Sequence, residues 1–277
     1  MTYPLNPFKR LAATGLYVCG VYDGLTAIIA EQKGFQALWL SGFSLSASLG
    51  LPDNSSMTAE DLCLAARNVR RASNLPLIVD CDAGYGSQDA AIVLAKHLKL
   101  IGVAGLCIED YVHPKRNSFA LRGPDSSPLM SQRAFCSTIT RLKREVRVPF
   151  LIARTESLII GETLNSAINR ANEYVRAGAD AALIHSRFAS LNQFRTLADA
   201  WRNKAPLVAI PTNATHLKKH ELMSAGFQIV IRANEVLRAI IQAAELTVGD
   251  LAADRPRGLS SSLVSMNHVF KITGLCH

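Results

Sequence analysis

The sequence predicts an α/β fold, specifically a (β/α)8 barrel, and three observations carry the prediction. Eight short runs rich in Val, Ile and Leu are apolar throughout rather than alternating, as parallel strands buried on both faces should be. The segments between them carry apolar residues at helical spacing and several close on a glycine. The chain has 277 residues, 49% apolar and 19% charged, which excludes a disordered chain and suits a barrel of about 250 residues in one domain. A chain of this size needs no disulfide or metal staple to fold.

The predicted strands are Leu16–Tyr22, Ala37–Gly42, Pro76–Asp82, Val103–Asp110, Pro149–Thr155, Ala181–Ser186, Pro206–Thr212 and Gln228–Ala233. Between them, Leu62, Ala65, Ala66 and Val69 follow the i, i+3, i+4, i+7 pattern, as do Leu164, Ala167, Ile168 and Ala171. Glycines at Lys33–Gly34, Ala177–Gly178 and Ala225–Gly226 read as helix C-caps. An open doubly wound sheet is the rival fold, and it is disfavoured because no GxGxxG turn follows the first strand. No internal boundary is evident, so residues 1–277 are read as one domain with residues 235–277 as a C-terminal helical extension. A helical stretch over Asn234–Gly249 leads to a break at Arg255–Ser262 and an amphipathic tail over Leu263–Thr273.

Thirty Lys and Arg against 22 Asp and Glu give a net charge of +8. The basic residues are scattered, with the densest groups (Arg67–Arg70–Arg71, Arg141–Lys143–Arg144 and Lys218–Lys219–His220) on expected helix surfaces. No basic stripe interleaved with aromatics is present, so no nucleic-acid partner is expected. No apolar run reaches the roughly 18 residues of a membrane span, so no membrane partner is expected either. The N-terminus lacks the apolar core of a secretory signal, and the six cysteines show neither a CxxC pair nor metal spacing. A cytoplasmic location is the simplest expectation.

In a barrel the chemistry lies at the carboxyl ends of the strands. Those ends read WLSG from Trp39, DCDAGYG from Asp80, Glu109–Asp110, Arg154–Thr–Glu156, His185–Ser186, Pro211–Thr–Asn213 and Arg232–Ala–Asn234. Asp80, Asp82 and Glu109 are hard oxygen donors on one rim and suit Mg²⁺ held by carboxylates and waters. Zinc is disfavoured because no paired His or Cys accompanies them. Arg154 and His185 would face them with positive charge and donors, as a small anionic oxyacid requires. Structural alternatives for single residues are Asp82 capping the next helix and Glu109 pairing with Arg154.

The stretches GFQALWLSGFSLSASLGLPD, DCDAGYG, GLCIEDYVHPKRNS, IARTES and AGADAALIHS resemble the isocitrate lyase/phosphoenolpyruvate mutase superfamily, in order and spacing from about Val18 to Arg238. The closest branches are the mutase and phosphonopyruvate hydrolase branches. The resemblance implies a Mg²⁺-bound 2-oxo acid in an α/β barrel. It also implies a homo-oligomer, dimer or tetramer, that exchanges its C-terminal helix between subunits. The lyase branch carries a catalytic cysteine in a KKCGH-like loop, whereas the loop here, Asp110 to Ser118, has none. It resembles the mutase gating loop EDKxFPKxNS, with Lys115, Asn117 and Ser118 at the matching places. The hydrolase branch tends to have Thr at the place of Asn117.

By the resemblance, the reaction is an isomerisation between phosphoenolpyruvate and phosphonopyruvate, with C–P hydrolysis or another C–P or C–C cleavage as the alternative. A non-catalytic metabolite-binding barrel is the reading from a different class. Asp80 would bind Mg²⁺ directly, while Asp82 and Glu109 would hold its waters. Backbone N–H groups near Ser41, Gly42 and Phe43 would receive substrate oxygens, with Trp39 packed beside them. Arg154, His185 and Asn117 would hold the phosphoryl group, with Lys115 closing over it. Asp53 would be the carboxylate beside the migrating group; an Asx turn after Pro52 is its structural alternative. The chain departs from the family at Ala83 (usually Thr), Tyr111 (usually Lys) and His113 (usually Phe).

Overall fold

The computed structural model describes Phe8 and residues 14–115, 117–119, 128–255 and 263–274. Eight parallel strands and the helices between them build the barrel. The strands are β1 (Leu16–Val21), β2 (Ala37–Leu40), β3 (Leu77–Asp80), β4 (Gly105–Glu109), β5 (Leu151–Thr155), β6 (Ala181–Ile184), β7 (Val208–Ala209) and β8 (Ile229–Arg232). Each falls inside its predicted run. They pair in the order β6-β5-β4-β3-β2-β1-β8-β7, and a single parallel bridge from Ala182 to Leu207 closes the ring.

The described helices are α1 (Gly24–Gln32), α2 (Gly42–Ser48), α3 (Ala59–Ala72), α4 (Gln88–Leu100), α5 (Gln132–Arg141), α6 (Leu164–Arg176), α7 (Leu191–Ala200), α8 (Lys219–Ser224), α9 (Glu235–Ala252) and α10 (Met266–Thr273). Side-chain caps start many of them. Thr58 and Asp61 form a capping box on α3, and Ser87 opens α4 by accepting from the Ala90 N–H. Gly34, Gly178 and Gly226 all take positive φ at the predicted helix ends. Arg67 and Arg71 lie exposed on α3.

The strand residues alternate between two cores, which explains why the runs read as continuously apolar. Leu16, Val18, Trp39, Ile78, Cys107, Ile152, Leu183, Ile229 and Ile231 fill the barrel interior. Cys19, Val21, Leu38, Leu40, Leu77, Val79, Leu106 and Ala153 face outward against the helices. Because strand side chains repeat every second residue, the residue two beyond an inward apolar one also points inward, at the mouth. That arithmetic delivers Ser41 after Trp39, Asp80 after Ile78, Glu109 after Cys107, Arg154 after Ile152 and His185 after Leu183.

α9 differs from the other helices: only Leu237 is buried on it. Ile240, Ile241, Leu246, Val248 and Leu251 are 42–66% exposed along it. The predicted tail appears as α10, which packs on α1. Most of the predicted break at Arg255–Ser262 lies outside the described residues. Among the described residues no helix is long and apolar enough to cross a membrane.

Candidate active site

A cavity of about 410 Å³ opens at the carboxyl ends of the strands. Its wall carries Trp39, Ser41, Phe43, Asp53, Asp80, Lys115, Asn117, Ser118, Arg154 and His185, all predicted from the sequence. Asp82 and Glu109 are buried rather than on the wall, and Gly42 lies against Asp82 and Asp80. A Cβ at Gly42 would stand 3.2 Å from Asp82 Oδ1 and 3.7 Å from Asp80 Oδ2, so a side chain there would crowd the Asp82 carboxylate and shift it by a few tenths of an ångström.

The carboxylates occupy the β3 and β4 ends. The backbone reverses sharply after Asp80: Asp82, Gly84, Tyr85 and Gly86 all have positive φ. The Glu109 N–H donates to Asp82 O at 2.9 Å, which ties this turn to the end of β4. Ser87, not Asp82, caps α4, so the capping alternative for Asp82 does not hold. Burial pushes Asp80 up to about 6, and the nearby Asp82 charge adds to the effect. Burial likewise raises Glu109 well above the carboxylate range, against the pull of Arg154. Glu109 has Arg154 Nε 3.3 Å from Oε2, as its structural alternative foresaw, yet neither carboxylate oxygen has a hydrogen-bond partner.

These observations test the fit of a divalent cation. Among the described residues no three His, Cys, Asp or Glu side chains form a direct metal cage. A set of buried carboxylates without such a cage suits Mg²⁺, which keeps several waters and takes only one or two protein ligands. The orphaned Glu109 oxygens are the acceptors such waters need. The donor set therefore fits Mg²⁺, and Asp80 is the one of these three carboxylates on the cavity wall.

The loop after β4 closes over the same mouth. Lys115 is buried, with Nζ 2.5 Å from Asp82 Oδ1 and 3.1 Å from Asp53 Oδ1. Burial alone would lower its pKa, but Asp82, Glu109, Asp53 and Asp80 together hold it well above the usual lysine value. Asn117 Nδ2 donates to the other Asp53 oxygen at 2.5 Å, and the Lys115 N–H donates to Ser55 Oγ at 3.0 Å. Asp53 thus anchors the loop through its side chain. At the departures from the family pattern, the Tyr111 ring is buried, Ala83 is partly buried in the turn after β3, and the His113 ring borders Gly86.

The opposite side is cationic. Arg154 Nη2 donates to Ser118 Oγ at 3.2 Å and lies 2.8 Å from His185 Nδ1. Burial alone would lower Arg154, but Glu156, Glu109 and Asp80 outweigh it and keep the guanidinium charged. Burial, then Arg154, lowers the His185 pKa, so the free imidazole is neutral near pH 7. Behind them sits Glu156, which contacts Arg154 Nε, His185 Nδ1 and Ser118 Oγ. Ser41 does not match its expected role in full: its N–H is bonded to Val21 O and its Oγ caps α2. Gly42 and Phe43, in the first turn of α2, are left as the backbone donors there.

Sequence reasoning missed several groups at this mouth. Glu156 stands two residues beyond Arg154, so the same strand arithmetic points it inward. Phe119, which stacks edge-on against His185 at 5.5 Å, follows the matched loop motif directly. Ile210, Thr212, Asn213, Asn234 and Arg238 complete the cavity from the β7 and β8 ends. Asn213 and Asn234 stood in the strand-end motifs, whereas nothing in the sequence singled out Ile210 or Arg238.

Comparison with known proteins agrees with this geometry. The family described as "Phosphoenolpyruvate phosphomutase" matches residues 8–252. A phosphoenolpyruvate phosphomutase of Streptomyces hygroscopicus is 34% identical over 255 residues, covering 91% of this chain and 80% of that protein. A crystal structure of phosphoenolpyruvate phosphomutase from Streptomyces platensis subsp. rosaceus superposes with a TM-score of 0.91 at 32% identity, covering 99% of this chain and 96% of the other. A phosphonopyruvate hydrolase solved with oxalate and Mg²⁺ superposes with a TM-score of 0.86 at 28% identity, covering 97% and 94%. 2-Methylisocitrate lyases also fall among the relatives.

Proposed function

Because the chain belongs to the phosphoenolpyruvate phosphomutase family, we propose that it is an isomerase interconverting phosphonopyruvate and phosphoenolpyruvate. In the forward sense written here the C–P bond of phosphonopyruvate breaks and an O–P bond forms to the enol oxygen of the same carbon skeleton. No water is consumed and no cosubstrate is needed.

Each residue has a definite task. Asp80 would hold Mg²⁺ directly, with Asp82 and Glu109 placed to accept from waters on it. The chemistry such an ion would supply is that of a Lewis acid at the substrate oxygens where negative charge develops. The Gly42 and Phe43 N–H groups receive oxygens at the same end, and Trp39 packs beside the carbon chain. Arg154, His185 and Asn117 hold the phosphoryl group, and Lys115 and Ser118 close over it. The transition state of phosphoryl transfer is loose, so holding the group and matching its charge carry most of the rate. Asp53 orients Asn117 and Lys115 beside the migrating group.

The observation that carries the mutase reading is Asn117, drawn over the cavity by Asp53. An amide there donates to phosphoryl oxygens and fills the path by which water would reach phosphorus; exclusion of water separates transfer from hydrolysis. The alternative, a phosphonopyruvate hydrolase of the same family, draws support from its similar structure. The absence of a loop cysteine argues against the lyases. Phosphorus NMR of the protein with Mg²⁺ and phosphonopyruvate tests the proposal: the phosphoenolpyruvate resonance is expected, and an unchanged substrate overturns it.

The same reading extends to assembly and location. The exposed apolar side of α9 supports a homo-oligomer that covers it with the C-terminal region of a second copy. The described cysteines are all unpaired, which supports a reducing, cytoplasmic setting.

A further inference from the structure

Glu156 belongs to none of the tasks above, yet it is completely buried and touches three residues that line the cavity. We propose that Glu156 is a positioning residue for the phosphoryl end: one carboxylate aligns Arg154, His185 and Ser118 together. The inference rests on the phosphomutase reading in placing the phosphoryl group at that end.

The geometry argues each link. Glu156 is itself held from behind, where its N–H donates to Asp110 Oδ1 at 2.9 Å. Asp110 is buried and also accepts from Thr155 Oγ1 and Tyr174 OH, both at 2.7 Å. The end of β5 is therefore pinned before the carboxylate acts on anything. Glu156 Oε1 and Oε2 lie 2.8 and 3.0 Å from His185 Nδ1. Two carboxylate oxygens facing a bare lone pair would repel, so Nδ1 carries the proton and Nε2 is the nitrogen left to meet a ligand. The guanidinium nitrogen near Nδ1 has Ser118 Oγ as its acceptor. Arg154 is gripped through Nε by Glu156, so its plane is fixed and its terminal nitrogens face Ser118 and the cavity. Finally, Ser118 Oγ donates to Glu156 Oε2 at 2.9 Å. Ser118 sits on the loop that Asp53 and Ser55 anchor, and its hydroxyl completes the shell of Glu156.

A purely structural role, neutralising buried cations, would look different under test. Glu156→Gln keeps the size and one acceptor but removes the charge. Calorimetry would compare two ligands in the presence of Mg²⁺. Oxalate needs only the metal and carboxylate end, whereas phosphonopyruvate needs both ends. We expect oxalate affinity to stay within about threefold of the parent and phosphonopyruvate affinity to fall on the order of 30-fold or more, as losses of outer-shell partners do. Where turnover is measured, kcat/KM should fall about 100-fold, the scale of a small misplacement of reacting groups. Ser118→Ala alone should cost about tenfold in phosphonopyruvate affinity, and the double variant should be no worse than Glu156→Gln, because the two act as a unit.

Parallel loss of oxalate and phosphonopyruvate would overturn the proposal, as would unchanged affinity for both or losses that multiply in the double variant. Should Glu156→Gln fail to fold, Glu156→Asp keeps the charge but withdraws it by one methylene. The same ligand-selective loss, near tenfold, is then expected, and equal loss for both ligands would contradict it. Failure of the function itself reads differently: the parent protein would bind phosphonopyruvate without converting it, and the affinity comparison would still decide the role of Glu156.

Discussion

Asp80 and Asn117 should fail in different ways when altered, because the proposed function gives one to the metal end and the other to the phosphoryl end. Asp80→Asn removes the carboxylate on the cavity wall while keeping its shape. An activity loss on the order of 1000-fold is expected, as for other groups that stabilise developing charge. Titrating Mg²⁺ upward should not restore the rate; recovery at high Mg²⁺ would show that Asp80 is not its principal ligand. Asn117→Thr keeps a short polar side chain but loses the amide that Asp53 grips at 2.5 Å. Product analysis by phosphorus NMR should show inorganic phosphate rising at the expense of phosphoenolpyruvate. An unchanged product ratio would remove the argument that this amide excludes water. Tyr111 bears on the same end: at the place where the resembled loop motif has lysine, a buried phenol stands here. Lys115, with its ammonium among Asp53 and Asp82, still supplies a cation over the carboxylates.

The elements explain how much of this could be read from the sequence. Position at the carboxyl ends of the predicted strands put Asp80, Glu109, Arg154 and His185 at one mouth before any coordinates. The same rule reaches Glu156, which stands in the IARTES motif but was not weighed as a site residue. What the rule cannot give is the path of irregular backbone. The anchoring of Asn117 and Lys115 by Asp53 joins segments more than 60 residues apart, and only the resemblance to relatives linked them. Arg238 is still less legible, since it enters the cavity from α9, where helix periodicity gives no hint of which side meets the barrel. The turn after β3 carries its own prediction. Gly84 has φ +87°, and a Cβ there would come 2.7 Å from the Ala91 side chain on α4. Gly84→Ala should therefore cost roughly 1–3 kcal/mol of stability, readable as a lower midpoint in thermal unfolding. An unchanged midpoint would mean that the turn relaxes freely.

At the scale of the whole molecule, the barrel places the charged mouth at one end and leaves a long apolar helix at another edge. Five apolar residues on α9 stand 42–66% exposed in a single chain, more than a lone soluble helix ordinarily shows to water. Sedimentation equilibrium should report a dimer or tetramer at micromolar concentration, and a monomer would leave that surface without its expected cover. The net charge of +8 is spread mostly over outer helices, as Arg67 and Arg71 illustrate, yet Arg154 and Lys115 are buried at the mouth among carboxylates. Under the proposed function the cluster would serve a small, multiply charged anion with a divalent cation beside it. Whether that anion rearranges within itself or is cut by water is the central claim, and isotope labelling reads it directly. Phosphonopyruvate turned over with Mg²⁺ in oxygen-18 water should yield phosphoenolpyruvate whose phosphoryl group carries no label. Release of labelled inorganic phosphate and pyruvate as the main products would contradict the account.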